Sequence, residues 1–321
     1  MASKVTVIGT GNFGSTVAFI LAMRGSCHEV VLRGRNIDIA RGKALDMSQA
    51  ANAAREHTIV RAADGPEDMA DSQVVVITAG APRSPGMSRD DLLTKNAEIV
   101  KTYALEIREY APDAIVVVVS NPLDVMAYVV HRYTGFPRER ILGMAGILDS
   151  ARMAHFIYEK LGYGAGQIRA TIMGGHGDTM VPLPKFTTVA GVPISDLLDS
   201  EEIGDIVKKT RNGGAQIVNL LGNGSAYYAP AKSTAVMVDA ILKDTNQIHS
   251  CAMMLEGEYG YSNIVSGVPV MIGAEGGNKI IEMTLNDLQK TRFKNSVASV
   301  QDMVDSLCRA GFFDDCEDNE Q

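Results

Sequence analysis

Gly174-Gly-His-Gly-Asp178 sets a single imidazole among glycines, and an imidazole titrates near neutral pH. Such a group can pass a proton to or from a hydroxyl or carbonyl oxygen, and glycine neighbours let a small molecule approach closely. A lone histidine is more often structural, so His176 needs a carboxylate to orient it. The best candidate is Asp149, in Gly143-Met-Ala-Gly-Ile-Leu-Asp-Ser-Ala-Arg152. Arg152 follows three positions later, on the same face of an expected helix. One face would then carry both the orienter of His176 and a guanidinium fork for a carboxylate. In isolation, an Asp and an Arg at this spacing more often form a routine surface ion pair.

Two other segments carry polar groups that point to the same chemistry. Ala79-Gly-Ala-Pro-Arg-Ser-Pro-Gly-Met-Ser-Arg89 follows a strongly apolar run and is rich in Gly and Pro. Its arginines, Arg83 and Arg89, suit two anionic groups, or one anion and a polarised carbonyl. Ser120-Asn121-Pro122 follows another apolar run and sets an amide in a corresponding place.

The elements that must position these groups are legible in the first half of the chain. Lys4–Ile8, Glu29–Leu32, Val74–Thr78 and Ala114–Ser120 read as strands, and Ser15–Arg24 shows helical spacing. The last two strands are apolar at nearly every position, as parallel strands covered on both faces are. Strands alternating with helices predict right-handed crossovers and a doubly wound parallel sheet, whose loops at one edge form the ligand rim. The second half reads as α+β. Helices are expected over Ser150–Leu161, Ser200–Leu221, Ser233–Lys243 and Leu288–Ala310. Ile168–Met173 reads as one strand, and Ile248–Leu255 and Val268–Ile272 as an antiparallel pair.

Between the first strand and first helix lies Gly9-Thr10-Gly11-Asn12-Phe13-Gly14. In that context Gly9 permits a tight turn, Gly11 lets a pyrophosphate approach the backbone, and Gly14 lets the helix pack close to the strand. The helix N-terminus offers free N–H groups to the phosphates. A dinucleotide is the expected cofactor. An acid about 20 residues beyond such a loop would bond the ribose 2′-hydroxyl of NAD. Here the strand ends Val31-Leu-Arg-Gly-Arg-Asn36, with Gly34 at the expected spot between Arg33 and Arg35. A guanidinium can bind a 2′-phosphate that a carboxylate would repel, which points to NADP as the preferred cofactor with NAD still usable. Solvated arginines are the plainer alternative, and Asp38 falls outside the strand's end.

The chain has 321 residues, enough for two domains, which we place at 1–145 (dinucleotide-binding, Rossmann) and 146–321 (α+β). A net charge of −8 argues against nucleic acid or an anionic membrane as the main partner. No apolar stretch approaches the roughly 20 residues that span a bilayer. The N-terminus runs directly into a strand, so a cytoplasmic enzyme is expected. Cys27, Cys251, Cys308 and Cys316 show no CxxC pair, and the expectation is four free thiols and no metal. The acidic tail from Phe312 onward is expected to fray.

Over nearly its whole length the sequence resembles the lactate/malate dehydrogenase family. The matching pieces are Gly9–Gly14, Gly42–Asp46, Arg83–Arg89, Lys95-Asn96, Ser120-Asn-Pro-Leu-Asp124, Leu148–Arg152, Gly175–Asp178 and Gly224–Pro230. The resemblance implies that His176 is the proton donor and acceptor, held by Asp149, and that Arg152 grips the substrate's C1 carboxylate. It implies that Arg89 polarises the reacting carbonyl on a closing loop, that Asn121 touches substrate and nicotinamide, and that Asn96 and Val119 line the cofactor site with Ser120. Arg83, where lactate enzymes tend to carry Gln, and the small Ala226 imply malate/oxaloacetate as the substrate. A homodimer or homotetramer is the family expectation. The departure is Gly34, where most members keep an Asp. The alternatives are a lactate or other 2-hydroxy-acid dehydrogenase, and a dinucleotide sensor that kept the fold and lost the chemistry.

Overall fold

The computed structural model describes residues 2–81, 89–222, 224–314 and 316, with Arg89 described by its backbone alone. Six parallel strands form the floor: β1 (Lys4–Ile8), β2 (Glu29–Arg33), β3 (Ile59–Ala62), β4 (Val74–Ile77), β5 (Ile115–Val118) and β6 (Ile141–Gly143). Their spatial order is β3-β2-β1-β4-β5-β6. The order reverses between β1 and β4, so the loops leaving those strands open a crevice at their carboxyl ends. β4 and β5 are buried at every position, which accounts for their unbroken Val and Ile runs. Each Val or Ile so buried contributes about 1.5–3 kcal/mol relative to exposure.

The helices α1 (Asn12–Met23), α2 (Ile37–Ala53), α3 (Arg89–Tyr110) and α4 (Leu123–Thr134) cover this sheet. α2 starts where the Asn36 side chain accepts the Ile39 N–H, an N-cap. α4 ends on Gly135 in the left-handed region. Helix α5 (Gly146–Leu161) follows β6 almost at once and begins ahead of the expected Ser150. Gly146 lets it start there: a Cβ would stand 2.7 Å from the Cβ of Ser250.

The expected strand at Ile168–Met173 is broken in two. β7 (Ile168–Arg169) and β8 (Ile172–Met173) join different sheets. β8 forms a hairpin with β9 (Val181–Pro182), while β7 pairs with β10 (Thr188–Val189), which pairs in turn with β11 (Val192–Pro193). The apolar run serves two cores. Ile168 and Ile172 pack around Met153 and Ile157, whereas Met173 belongs to the main core.

Helices α6 (Ser200–Leu221) and α7 (Tyr228–Leu242) lead to β12 (Gln247–Glu256), β13 (Ser262–Gly273), β14 (Gly276–Ile280) and the closing helix α8 (Asp287–Arg309). The strand pair expected at 248–255 and 268–272 is antiparallel, and it does not stand apart. β12 pairs with β6 at Ala252 and Gly143, extending the parallel strands into one nine-stranded sheet. Gly143 makes the approach possible, since a Cβ there would sit 2.9 Å from the Cβ of Ala252. No helix among the described residues is long and apolar enough to cross a membrane.

At the end of the chain two expectations need correction, the first being that the tail frays from Phe312 onward: Phe312 and Phe313 are each 6% exposed. Cys308 and Cys316 form a disulfide, with Cα atoms 5.6 Å apart, so the cysteines are not all free thiols. Spacing along the chain did not disclose the pairing because the turn after α8 makes it. The chain bends at Gly311, and Phe312 and Phe313 dock edge-on against Tyr133 and Tyr128 of α4. Cys27 and Cys251 stay buried and free, and burial pushes the Cys27 thiol up to about 12 and that of Cys251 higher than its ordinary value. Denatured without reductant, the protein is expected to release two titratable thiols; a count of four would show the Cys308–Cys316 bond to be absent.

Candidate active site

His176 sits on the hairpin loop between β8 and β9, and three successive backbone N–H groups tie that loop down. Gly174 N–H donates to the Gly267 carbonyl of β13, Gly175 N–H to Ser296 Oγ of α8, and His176 N–H to Asp124 Oδ2 of α4, each at 2.8 Å. Gly177 has φ +111, a conformation side chains rarely tolerate, and it turns the loop back toward β9. The imidazole is thereby aimed at α5. Its Nδ1 lies 2.9 Å from Asp149 Oδ2, and the other oxygen, Oδ1, is 3.2 Å from a terminal nitrogen of Arg152. Asp149 is 1% exposed, while His176 and Arg152 are each 15% exposed. A charge so buried must be paired, and Asp149 is paired twice.

Electrostatics follow from that geometry. Burial by itself would lower the proton affinity of His176, but the charge and hydrogen bond of Asp149 outweigh it, with help from Asp124 and opposition from Arg152. The net result is a pKa raised above its ordinary value. With Asp149 accepting at Nδ1, the neutral ring carries its proton there and leaves Nε2 to exchange with a ligand oxygen. Arg152 packs against Gly214 of α6, where a Cβ would stand 3.5 Å from its guanidinium. Its Nε is buried without a partner among the described residues. A buried free donor on a planar fork fits a carboxylate ligand.

The loops leaving β4 and β5 are stitched into one rim. Asn96 of α3 accepts the Ala81 N–H at 2.7 Å and donates to the Asn121 carbonyl at 2.8 Å. Ser120 Oγ donates to the Ala79 carbonyl at 2.5 Å. Val119 is buried beneath, and the Asn121 side chain is exposed on the rim next to a cis peptide bond to Pro122. Arg83 lies outside the described residues, and Arg89 is described only as the first residue of α3. Their relation to His176 is therefore not part of this geometry.

The glycine loop fits a dinucleotide. Gly9 has φ +110 and Gly14 lies against the Gly9 carbonyl, where any Cβ would collide, while a Cβ at Gly11 would meet nothing within 4 Å. The backbone is thus closed inward and open at Gly11, as a pyrophosphate needs. α1 starts at Asn12 with no side-chain cap and no acid in its first turn, which leaves N–H donors for an anion; Phe13 packs on the core. At the end of β2, Arg33 makes a bidentate pair with Glu106 of α3, at 2.9 to 3.1 Å. Arg35 is exposed. A Cβ on Gly34 would stand 2.6 Å from Thr10 Oγ1 and 2.7 Å from its methyl, so Thr10 fills the space an acid at 34 would need.

Three contributors escaped the sequence reading. Lys43 of α2 donates to the Thr10 carbonyl at 2.6 Å and to Ser15 Oγ at 2.9 Å, pinning the glycine loop. Ser296 and Asp124 hold the His176 loop from α8 and α4. Lys43 and Asp124 lie within segments that resemble the family, but nothing local gave either a role, since an acid in the first turn of a helix is ordinary.

The sign of the His176 shift yields a stability test. Because its folded pKa is raised, the stabilisation from the Asp149 pair is fully present below the unfolded value of about 6.5 and is lost as pH rises through the folded pKa. Asp149→Asn is expected to cost about 3 kcal/mol at pH 6. In urea titrations the gap from wild type should narrow at higher pH; a gap independent of pH would remove His176 from the pair.

Residues 3–143 match the family model described as lactate/malate dehydrogenase, NAD binding domain, and residues 147–309 match that described as lactate/malate dehydrogenase, alpha/beta C-terminal domain. The chain is 61% identical over 311 residues to a malate dehydrogenase of Sulfurimonas denitrificans, a match that covers 97% of this chain and 98% of that protein. Among solved structures it is similar to the apo malate dehydrogenase from Picrophilus torridus, with TM-score 0.93 and 39% identity, covering 97% of this chain and 100% of that one. It is similar also to the lactate dehydrogenase from Cryptosporidium parvum complexed with lactic acid and NAD, with TM-score 0.92 and 35% identity, covering 96% of this chain and 98% of that one. The backbone alone therefore does not separate the two substrates. Matched over residues 3–143 and 147–309 by the family's two models, this chain belongs to the lactate/malate dehydrogenase family.

Proposed function

We propose that the protein interconverts (S)-malate and oxaloacetate with a nicotinamide dinucleotide, NADP(H) being preferred over NAD(H). The observation that carries the chemistry is the buried Asp149 bridging His176 and Arg152. It sets a proton-exchanging group beside a carboxylate-binding one, as a 2-hydroxy acid needs. When bound, the dinucleotide would supply the hydride chemistry at the substrate's C2. Arg152 holds the C1 carboxylate through its fork and fixes the hydroxyl or carbonyl oxygen near His176 Nε2. His176 gives that oxygen a proton during reduction and takes one during oxidation, and Asp149 keeps the ring in the working tautomer. Arg89 polarises the carbonyl and helps exclude water. Asn121 contacts both substrate and nicotinamide, and Gly9 to Gly14, Asn96, Val119 and Ser120 line the cofactor site.

Malate rather than lactate is supported by Arg83, whose charge would match a second substrate carboxylate, and by the malate dehydrogenases among the relatives. The NADP preference is supported by Gly34, where no acid opposes a 2′-phosphate. Since Arg33 is committed to Glu106, Arg35 is the guanidinium left for it. The division at 1–145 and 146–321 is supported by the spans of the two family matches. A homodimer or homotetramer would cover large apolar side chains left exposed on α1 and α2, such as Phe19 and Leu45.

With NADPH, kcat/KM for oxaloacetate is expected to exceed that for pyruvate by about a hundredfold, and Arg83→Gln to narrow the gap. Pyruvate outperforming oxaloacetate would make this a lactate-type enzyme. Arg152→Lys should lower kcat/KM about a thousandfold, near 4 kcal/mol, because an ammonium cannot form the fork. For the cofactor, an NADPH preference of about a hundredfold is worth roughly 2.7 kcal/mol. Gly34→Asp alone should weaken binding of both dinucleotides, because its side chain meets Thr10, and adding Thr10→Ala should swing the preference to NADH. Equal use of NADH and NADPH by wild type would make Arg35 a bystander.

A further inference from the structure

Of the three N–H anchors of the His176 loop, two go to neutral acceptors, the Gly267 carbonyl and the Ser296 hydroxyl, and one goes to a carboxylate. That carboxylate, Asp124, is 3% exposed in the first turn of α4, three residues past Asn121 on the rim. Its Oδ2 takes the His176 N–H at 2.8 Å, while Oδ1 is buried with no hydrogen-bond partner among the described residues. Loops of neutral residues are routinely held by carbonyls and hydroxyls, as Gly174 and Gly175 are here. A buried acid with one oxygen unpartnered is a costly way to hold this amide beside its own backbone N–H. Its charge must act on something close, and the titratable group attached to that amide is the imidazole of His176. A single short segment, 121–124, thus carries a rim amide at one end and the backbone clamp of the proton donor at the other.

We propose that Asp124 is a positioning residue of the proton-transfer site: its buried carboxylate holds the His176 backbone so that the imidazole stays against Asp149, and its charge supports the protonated ring. The proposal rests on the reading of His176 as the acid/base. Among the described residues, the charged or titratable groups acting on Asp124 are His176 from the loop and Asp149 from α5. Those acting on His176 are Asp149, Asp124 and Arg152. α8 contributes the neutral Ser296 hydroxyl. Burial pushes Asp124 up to about 6, against the opposing pull of the His176 N–H and of the imidazole's charge. His176 is shifted upward from its own ordinary value. The two groups therefore bracket a working range. Below about pH 6 Asp124 gains a proton and its charged hold on the loop weakens; above the His176 pKa the ring loses the proton needed for reduction.

The test is a proton NMR titration of the imidazole signals of the whole protein, with His176 assigned by its absence in His176→Asn, run beside pH profiles of oxaloacetate reduction. In wild type the His176 signal should show its own inflection and a second near pH 6 from Asp124; a single inflection would overturn the proposal. In Asp124→Asn, which keeps an amide oxygen for the His176 N–H but no charge, the second inflection should vanish and the first should move to lower pH. The acid limb of kcat/KM should vanish with it, and NADPH binding followed by nicotinamide fluorescence should be unchanged. In Asp124→Ala, kcat should fall about ten- to a hundredfold with little change in KM, as when other orienting partners are removed. A purely structural residue would lower thermal stability in these variants and leave the His176 titration where it was, which would refute the role. Should wild type turn over neither oxaloacetate nor pyruvate, the functional reading falls, and the titration of the resting protein still decides for or against Asp124.

Discussion

A carboxylate that is 1% exposed cannot stand alone, and the pairing of Asp149 with His176 and Arg152 is the constraint on which the rest of the site depends. One oxygen fixes the tautomer and raises the proton affinity of the ring, and the other restrains the guanidinium. Both partners remain partly open, so the charge buried in α5 is expressed at the crevice as a proton donor and an anion fork. Replacing Asp149 with an apolar residue would leave His176 and Arg152 in one small space with no negative charge between them.

Holding this cluster requires elements from the whole chain. β8 and β9 carry the His176 loop, but its backbone is fastened to β13, α8 and α4. α5 can bring Asp149 and Arg152 close because Gly146 and Gly143 admit it and β12 to the edge of the parallel sheet. The antiparallel strands therefore continue the nucleotide-binding sheet, and the floor of the crevice is one continuous hydrogen-bonded sheet. The rim is tied likewise, through Asn96 and Ser120, so that Asn121 is set from beneath.

At the cofactor end, the contest between charges is settled by which partner is nearer. Arg33 and Arg35 read alike in the sequence, yet it is Arg33 that pairs with Glu106, and a bidentate pair at about 3 Å leaves that guanidinium little capacity for a phosphate. Thr10 against Gly34 adds a steric element to the electrostatic one. A loop residue and a strand-end residue, separated in sequence, share one small volume.

Much of this was legible in the residues themselves, because much of it is local. The glycine loop, the unbroken Val runs of β4 and β5, the His among glycines and the Asp149–Arg152 spacing each reflect backbone geometry or helical periodicity within a short window. These are the quantities an amino-acid string determines: which residues can turn, which must be buried, and which can titrate. Tertiary structure decided the pairings. It split Ile168–Met173 between two sheets, joined β12 to β6, closed Cys308 onto Cys316, gave Arg33 to Glu106 and set Asp124 under His176. The physical reason is common to all five. A hydrogen bond, ion pair or disulfide is decided within about 3 Å in space, and residues that are not neighbours in one helix or strand come that close only once the turns and the packed core have set the path of the chain.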